Sequence, residues 1–125
     1  MDGGLTNIVN LYEFITRIKR FPNNAYVDEP GFISLYVRHG RRYINGVEFP
    51  NILDIANVEV EIKGKGTFTR LIERIRREYP GIGIYVESIQ NPRLPAKLEQ
   101  LGFTKVEGIF PPSYYWLPST ATHKP

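Results

Sequence analysis

The sequence predicts one α/β (α+β) domain, built on a single mixed, mostly antiparallel sheet with helices on both faces. Three observations carry that expectation. The chain has 125 residues, 42% hydrophobic and 23% charged, which suits one globular core. The apolar spacing changes from helical to alternating near Gly31, and strand and helix patterns then interleave from residue 52 onward. Finally, a β-branched run passes through Gly64-Lys65-Gly66 into an amphipathic helix, the strand–loop–helix unit of a mixed sheet. Residues 1–118 are expected to form the domain and 119–125 a flexible tail.

Residues 6–19 carry Ile8, Leu11, Tyr12, Ile15 and Ile18 at helical spacing, with Thr6 as N-cap. Ile33, Leu35 and Val37 alternate with Ser34 and Arg38, a strand pattern with the three apolar residues on one face. His39-Gly40-Arg41 reads as a turn, with His39 exposed, and Tyr43 to Phe49 as the next strand. Asn45-Gly46 is an alternative hairpin turn, because that dipeptide tolerates positive φ at both positions. Phe49-Pro50-Asn51 reads as a turn and Ile52 to Val60 as a third strand.

Residues 67–79 form a helix with an apolar stripe of Phe68, Leu71, Ile72, Ile75 and Tyr79, stopped by Pro80-Gly81. Ile82 to Glu87 is a strand. A short helix over 95–101 ends at Gly102, and Phe103–Val106 and Tyr114–Leu117 close the sheet. Within Tyr114-Tyr115-Trp116, alternation favours Tyr115 as a core residue.

The absence of cysteine excludes disulfides, thiolate metal sites and cysteine nucleophiles. His39 and His123 lie far apart, so no histidine metal centre is expected. The net charge of +3 is uneven: residues 1–62 hold six Lys/Arg against eight Asp/Glu, and residues 63–125 ten against five. The second half is therefore the place for an anionic ligand. No apolar run reaches the roughly 20 residues of a membrane span, and the amino terminus lacks a signal-peptide pattern. A cytoplasmic protein is expected.

The Gly64-Lys65-Gly66 loop is a device for phosphates: glycines admit close backbone approach, and the helix that follows presents unpaired N–H groups. The alternative is a plain turn beside a solvated basic helix. It is not a Walker loop, since Gly66 rather than Ser or Thr follows Lys65. As a dinucleotide fingerprint it is weak, with Thr69 at the third small position.

The stretch Glu61-Ile62-Lys63-Gly64-Lys65-Gly66 resembles the Gln/Arg-x-x-Gly-x-Gly/Ala loop of the GNAT superfamily of N-acyltransferases. A second GNAT pattern is an Asn, then an Ala, a Leu-Tyr pair, and Gly-Phe eleven residues after the Asn; this chain has Asn91, Ala96, Leu101 and Gly102-Phe103, with the Asn-to-Gly spacing intact. The resemblance spans about residues 32–117 and implies a GNAT-like fold using acetyl-CoA as acyl donor. The amides of Ile62, Lys63, Gly64, Lys65, Gly66 and Thr67 would wrap the pyrophosphate. Val58 and Val60 would offer main-chain groups to the pantetheine arm, Lys65 or Arg70 would suit the ribose phosphate, and Asn91 belongs to the second motif. Leu98 stands where the family carries a proton-donating tyrosine, and Glu61 where it carries Gln or Arg.

Acyl transfer to an amine needs a base. Glu87 and Asp54 are the leading candidates, because Glu87 ends a strand at the implied cleft and Asp54 interrupts an apolar strand. Glu48 and Glu59 are weaker ones. Ser88, Tyr85, Tyr114 or Tyr115 could replace the missing tyrosine. The predicted function is transfer of an acetyl group to a primary amine of a small molecule, a protein or a modified base. A macromolecular acceptor or a homodimer partner would complete the cleft. The alternative is a degenerate module of the same fold that binds a protein or nucleic acid. For the latter, the Arg70, Arg74, Arg77 row could contact phosphates, although a solubilising role is favoured.

Overall fold

The computed structural model describes residues 10–16, 24–87, 91–109 and 111–119. Its centre is a hairpin of two long antiparallel strands, β2 (Phe32–Ile44) and β3 (Val47–Val60). Asn45 and Gly46 join them with φ of 52° and 82°, the primed geometry that matches strand twist. The hairpin alternative is therefore the one adopted, and two expected turns are absent. His39-Gly40-Arg41 runs inside β2, and Phe49-Pro50-Asn51 runs inside β3. Pro50 cannot donate to a ladder, and it sits in a bulge between the Gly40–Ile52 and Arg42–Phe49 pairs.

A bulge at Ile33 turns that side chain out to 62% exposure, while Leu35 and Val37 stay in the core. The expectation that all three share a face is corrected accordingly. Ala56 forms a third bulge, between the Tyr36–Asn57 and Val37–Ile55 pairs.

From β3 the chain crosses through α2 (Thr67–Glu78) to β4 (Gly83–Val86), which pairs parallel to β3. Next, α3 (Leu94–Gln100) leads to β5 (Thr104–Lys105), and β6 (Tyr114–Trp116) inserts antiparallel between β4 and β5. With β1 (Asn24–Tyr26) on the far edge of β2, the six strands run β1-β2-β3-β4-β6-β5. The result is one mixed sheet in an α+β domain.

Of the predicted 6–19 helix, the described part is α1 (Leu11–Thr16). Asn10 caps this described segment, and Thr6 lies outside the described residues. The Asn10 N–H donates to Glu13 Oε1 at 3.1 Å and the Glu13 N–H to Asn10 Oδ1 at 2.8 Å, a reciprocal capping box. The rest of that helix, Phe110 and most of the expected tail lie outside the described residues.

Period-2 alternation sorts the sheet into two faces. Leu35, Val37, Leu53, Ile55, Ile84, Val86 and Tyr114 form one core with Leu11 and Phe14 of α1, the α2 stripe and Leu98 of α3. On the other side Ile44, Ile52, Tyr85 and Val106 gather with Phe49, Tyr115 and Leu117, and no described helix contributes. The expectation of helices on both faces is thus corrected: the three described helices share one. Tyr114 is the most buried of its aromatic triplet, and Tyr115 packs on the opposite face. Arg76 ties α2 to α3 by donating to the Leu101 carbonyl, with its guanidinium 4.3 Å from the Trp116 ring centroid. Among the described residues no helix is long and apolar enough to cross a membrane.

Gly83 marks the tightest point of the sheet. A Cβ there would lie 2.6 Å from Ile52 Cδ1, 3.0 Å from Leu117 Cδ2 and 3.3 Å from the Trp116 carbonyl oxygen. Two neighbours are side-chain ends that can yield, whereas the carbonyl belongs to the paired strand. Gly83→Val is expected to lose about 1–3 kcal/mol by overpacking. A denaturant midpoint equal to that of the unsubstituted protein would contradict this packing.

Candidate active site

The parallel pairing of β3 and β4 is short. It runs from Ile52–Gly83 to Ile55–Val86, and its last rung is the Glu87 N–H donating to the Ile55 carbonyl at 3.0 Å. At the next residue, Ala56, β3 bulges, and from there to Val60 it pairs with β2 alone. β4 ends at Val86, and residues 88–90 lie outside the described residues. From Ala56 to Val60 the β4-facing edge of β3 has no strand partner among the described residues.

The open edge leads into a cleft of about 450 Å³ between the glycine loop and the start of α3. Val60, Ile62, Lys63, Gly64, Lys65, Gly66 and Thr67 line one wall, with Phe68 and Thr69 behind them. Asn91, Pro92, Arg93, Leu94 and Lys97 line the other. Among the described residues, four cations and no carboxylate line this space. Gly64 and Gly66 take φ of 81° and 74°, which only glycine adopts without strain, and the loop opens directly onto the first turn of α2. That turn offers its unpaired amides and the positive end of a twelve-residue helix. The donor set fits a diphosphate.

Most of the predicted cofactor residues therefore come together, with two exceptions. The Val58 side chain packs against the core and does not line the cleft, whereas the expectation concerns its main-chain groups, which lie on the β3 edge. Arg70 turns away: its guanidinium donates to the Lys65 carbonyl at 2.7 Å, and it lines a separate hollow beside Glu29 and Arg74. It braces the loop from behind. Asn91 accepts the Arg93 N–H at 2.9 Å through Oδ1, which shapes the entry to α3. Arg93 and Lys97 were not foreseen. The signal was present, as two cations within six residues of Asn91, but nothing in the sequence says that α3 begins opposite the loop.

The predicted bases also meet. Asp54 on β3 is opposite Tyr85 on β4, and Glu87 follows two residues on, so all three face the side of the sheet that the described helices leave uncovered. Asp54 is buried, at 4% exposure. Arg42 Nη1 lies 2.9 Å from Asp54 Oδ2 and 3.6 Å from Glu87 Oε2, and Arg38 Nη1 lies 3.3 Å from Glu87 Oε2. The Arg42 guanidinium also stacks 3.7 Å from the Tyr85 ring centroid.

Burial, and then a hydrogen bond with Glu87 and its nearby charge, pushes the Asp54 carboxyl up to about 8, with Arg42 and Arg38 pulling the other way. Two ionised carboxylates cannot hydrogen-bond to each other, so the contact holds one proton. Because the folded-state value lies above the unfolded one, the protonated form is what folding favours. That stabilisation is complete below about pH 4 and is lost as pH rises through about 8. Thermal stability should therefore fall across this window by up to about 1.4 kcal/mol per pH unit, and Asp54→Asn should flatten the slope. Parallel melting curves for the two proteins at every pH would refute this.

Of the other candidates, Ser88 lies outside the described residues. Glu48 pairs with Arg41 at 3.2 Å, and the Tyr114 hydroxyl is buried and donates to Glu99 Oε2 at 3.1 Å. Tyr85 is covered by Arg42. Leu98 is fully buried in the core and faces neither cleft nor strand gap. His39, expected in an exposed turn, is a buried β2 residue held neutral by desolvation. Arg38 and Arg42 were missed, although a carboxylate inside an apolar strand implies a cationic partner. No family model, curated protein or solved structure matches the chain.

Proposed function

We propose that this protein is an N-acyltransferase of the GNAT type, taking an acetyl group from acetyl-CoA to a primary amine. The reading rests on two features: a cationic cleft built on the glycine loop, and an Asp54–Glu87 carboxyl pair further back along the same strand, with the β3 edge of residues 56–60 between them without a strand partner among the described residues. When bound, acetyl-CoA supplies a thioester whose carbonyl carbon forms the new C–N bond as its C–S bond breaks. The chain's own residues do the rest. Lys63, Lys65, Arg93 and Lys97 offset the phosphate charge, and the loop amides approach it closely because residues 64 and 66 lack side chains. Peptide groups of residues 56–60 can hold the extended arm as an additional strand would be held. The Asp54–Glu87 pair accepts the proton that the ammonium must lose, and solvent returns a proton to the departing thiolate.

Gly66→Val tests the cofactor half. It puts a β-branched residue at φ 74°, with its Cβ 3.3 Å from Arg70 Nη1, and so disturbs both the loop and its brace. The unsubstituted protein should melt several degrees higher with millimolar acetyl-CoA, and the variant should show no such shift. An unsubstituted protein that gains nothing from acetyl-CoA or CoA would sink the reading.

The second reading, a module that binds without transfer, draws on the buried Leu98, which leaves the site without the family's tyrosine. It is separated from the first by thiol release from acetyl-CoA in the presence of amines.

A further inference from the structure

The Asp54–Glu87 pair meets charge from one strand only. Arg38 and Arg42 reach it from β2, Tyr85 precedes Glu87 on β4, and Tyr115 of β6 stands beside Tyr85. Arg41 is engaged elsewhere, 3.2 Å from Glu48. The two nearer arginines are not equivalent. Register sets Arg38 directly opposite Asp54, yet its contact is with Glu87 at 3.3 Å, and its side chain is half exposed. Arg42 is opposite Phe49, beyond Gly40 and the bulge at Arg41, so its side chain runs back along the strand to reach Asp54. There Nη1 lies 2.9 Å from Asp54 Oδ2 and 3.6 Å from Glu87 Oε2, and one guanidinium touches both carboxyls.

Tyr85 supplies the seat. It pairs with Asp54 across β3 and β4, and its ring centroid lies 3.7 Å from the Arg42 guanidinium carbon. A guanidinium is planar and permanently charged, so it can rest on a ring while its edge meets a carboxyl, which an ammonium on a flexible stem cannot do as well. The oxygens of the pair divide accordingly. Asp54 Oδ2 is the one that Arg42 holds. Asp54 Oδ1 and Glu87 Oε2 are both enclosed and meet no aligned N–H or O–H donor. A proton on Oδ1, donated to Oε2, would satisfy both at once, and enclosed oxygens are costly otherwise.

We propose that Arg42, seated on Tyr85, is the positioning residue of this carboxyl pair: by holding Asp54 Oδ2 it turns Oδ1 toward Glu87 Oε2, so that the two carboxyls take up and give up one proton as a unit. The pair's service as a base rests on the acyl-transfer reading, whereas its arrangement does not. Arg42 touches no reacting atom and acts through the carboxyls. Its charge opposes the rise that burial and Glu87 impose on Asp54. Removing it therefore makes the shared proton harder to lose.

The test is ¹³C NMR of the full chain labelled at its aspartate carboxyls, titrated with no ligand present through neutral and mildly alkaline pH. The sequence holds three aspartates, Asp2, Asp28 and Asp54, and Asp54→Asn identifies the signal of the third. In Arg42→Met the Asp54 titration should move upward by at least about one pH unit, the lower end of what an adjacent arginine does to a carboxyl. Arg42→Lys keeps the charge without the planar face and should fall between Arg42→Met and the unsubstituted protein. Arg41→Gln removes the same charge one residue away and should leave the titration in place. With acetyl-CoA and an amine, Arg42→Met should lower kcat about ten-fold below the new inflection and recover above it, at an unchanged KM for acetyl-CoA. An Asp54 titration that stays in place in Arg42→Met, or that Arg41→Gln moves equally far, overturns the positioning role. If Arg42→Met does not fold, Arg42→Lys decides, and a titration identical to that of the unsubstituted protein overturns the role. A titration that moves as expected in a protein that releases no thiol from acetyl-CoA keeps the role of Arg42 and overturns acyl transfer instead.

Discussion

Glu87→Gln is expected to slow acetyl transfer by about 10²–10⁴-fold, the span of a positioned general base, while acetyl-CoA still raises the melting temperature. The substitution keeps the size of the side chain and removes the carboxylate. Glu87 belongs to the pair yet has a side chain still 19% exposed, so it is the member an amine can reach. Arg42 keeps its contact with Asp54 in the variant, and Arg38 is half exposed, so neither cation is stranded in the interior. The pH profile gives a second readout. With Asp54 pushed up to about 8, transfer by the unsubstituted protein should rise with pH and level off above that value, as the pair becomes free to accept a proton. Asp54→Asn should remove the inflection. A Glu87→Gln rate within a few-fold of the original would place the base elsewhere, and Ser88 and its neighbours would be examined next.

Leu98→Ala is expected to cost about 2–5 kcal/mol of stability, the range for emptying a leucine site in a tight core. Leu98 is fully buried and is the buried residue of α3. Its carbonyl accepts the Phe103 N–H at 2.9 Å, so it also helps to end the helix at Gly102, whose φ of 90° suits that stop. One side chain thus anchors the element that forms the second wall of the cleft. Leu98→Tyr is the sharper companion. It installs the tyrosine that the GNAT resemblance would place at this position, but into a filled core, where overpacking costs about 1–3 kcal/mol. It should gain no transfer activity, because the position faces the sheet and not the strand gap. Denaturant midpoints decide the first outcome and thiol release the second. A Leu98→Ala protein as stable as the original would mean that α3 is not held by this contact.

The stripe of α2 and the buried Ile and Val of β3 and β4 were legible because each repeats at the period of its own element. Gly64 and Gly66 were legible because no other residue suits their φ. The two candidate carboxylates were legible because charge inside an apolar strand is expensive. The three β-bulges were not. Each offsets the register by one residue, and a sequence carries no mark of a residue that its partner strand skips. Ile33 and Pro50 were misplaced for that reason, one expected in the core and one in a turn; His39, expected in an exposed turn, instead pairs in regular register with Leu53 because the turn lies at Asn45-Gly46.

What the sequence by itself determined is therefore local: the kinds of element, their order, and the residue types that suit an anion or hold a proton. Only the tertiary structure decided which of these meet. It set the three described helices on one face, turned Arg70 behind the loop, brought Arg93 and Lys97 in front of it, and paired Asp54 with Glu87 beneath Arg38 and Arg42. The physical reason is that periodicity acts over a few residues, whereas these contacts join side chains tens of residues apart. Their partners are chosen by strand register and by the packing of whole elements, which no short stretch of the chain encodes.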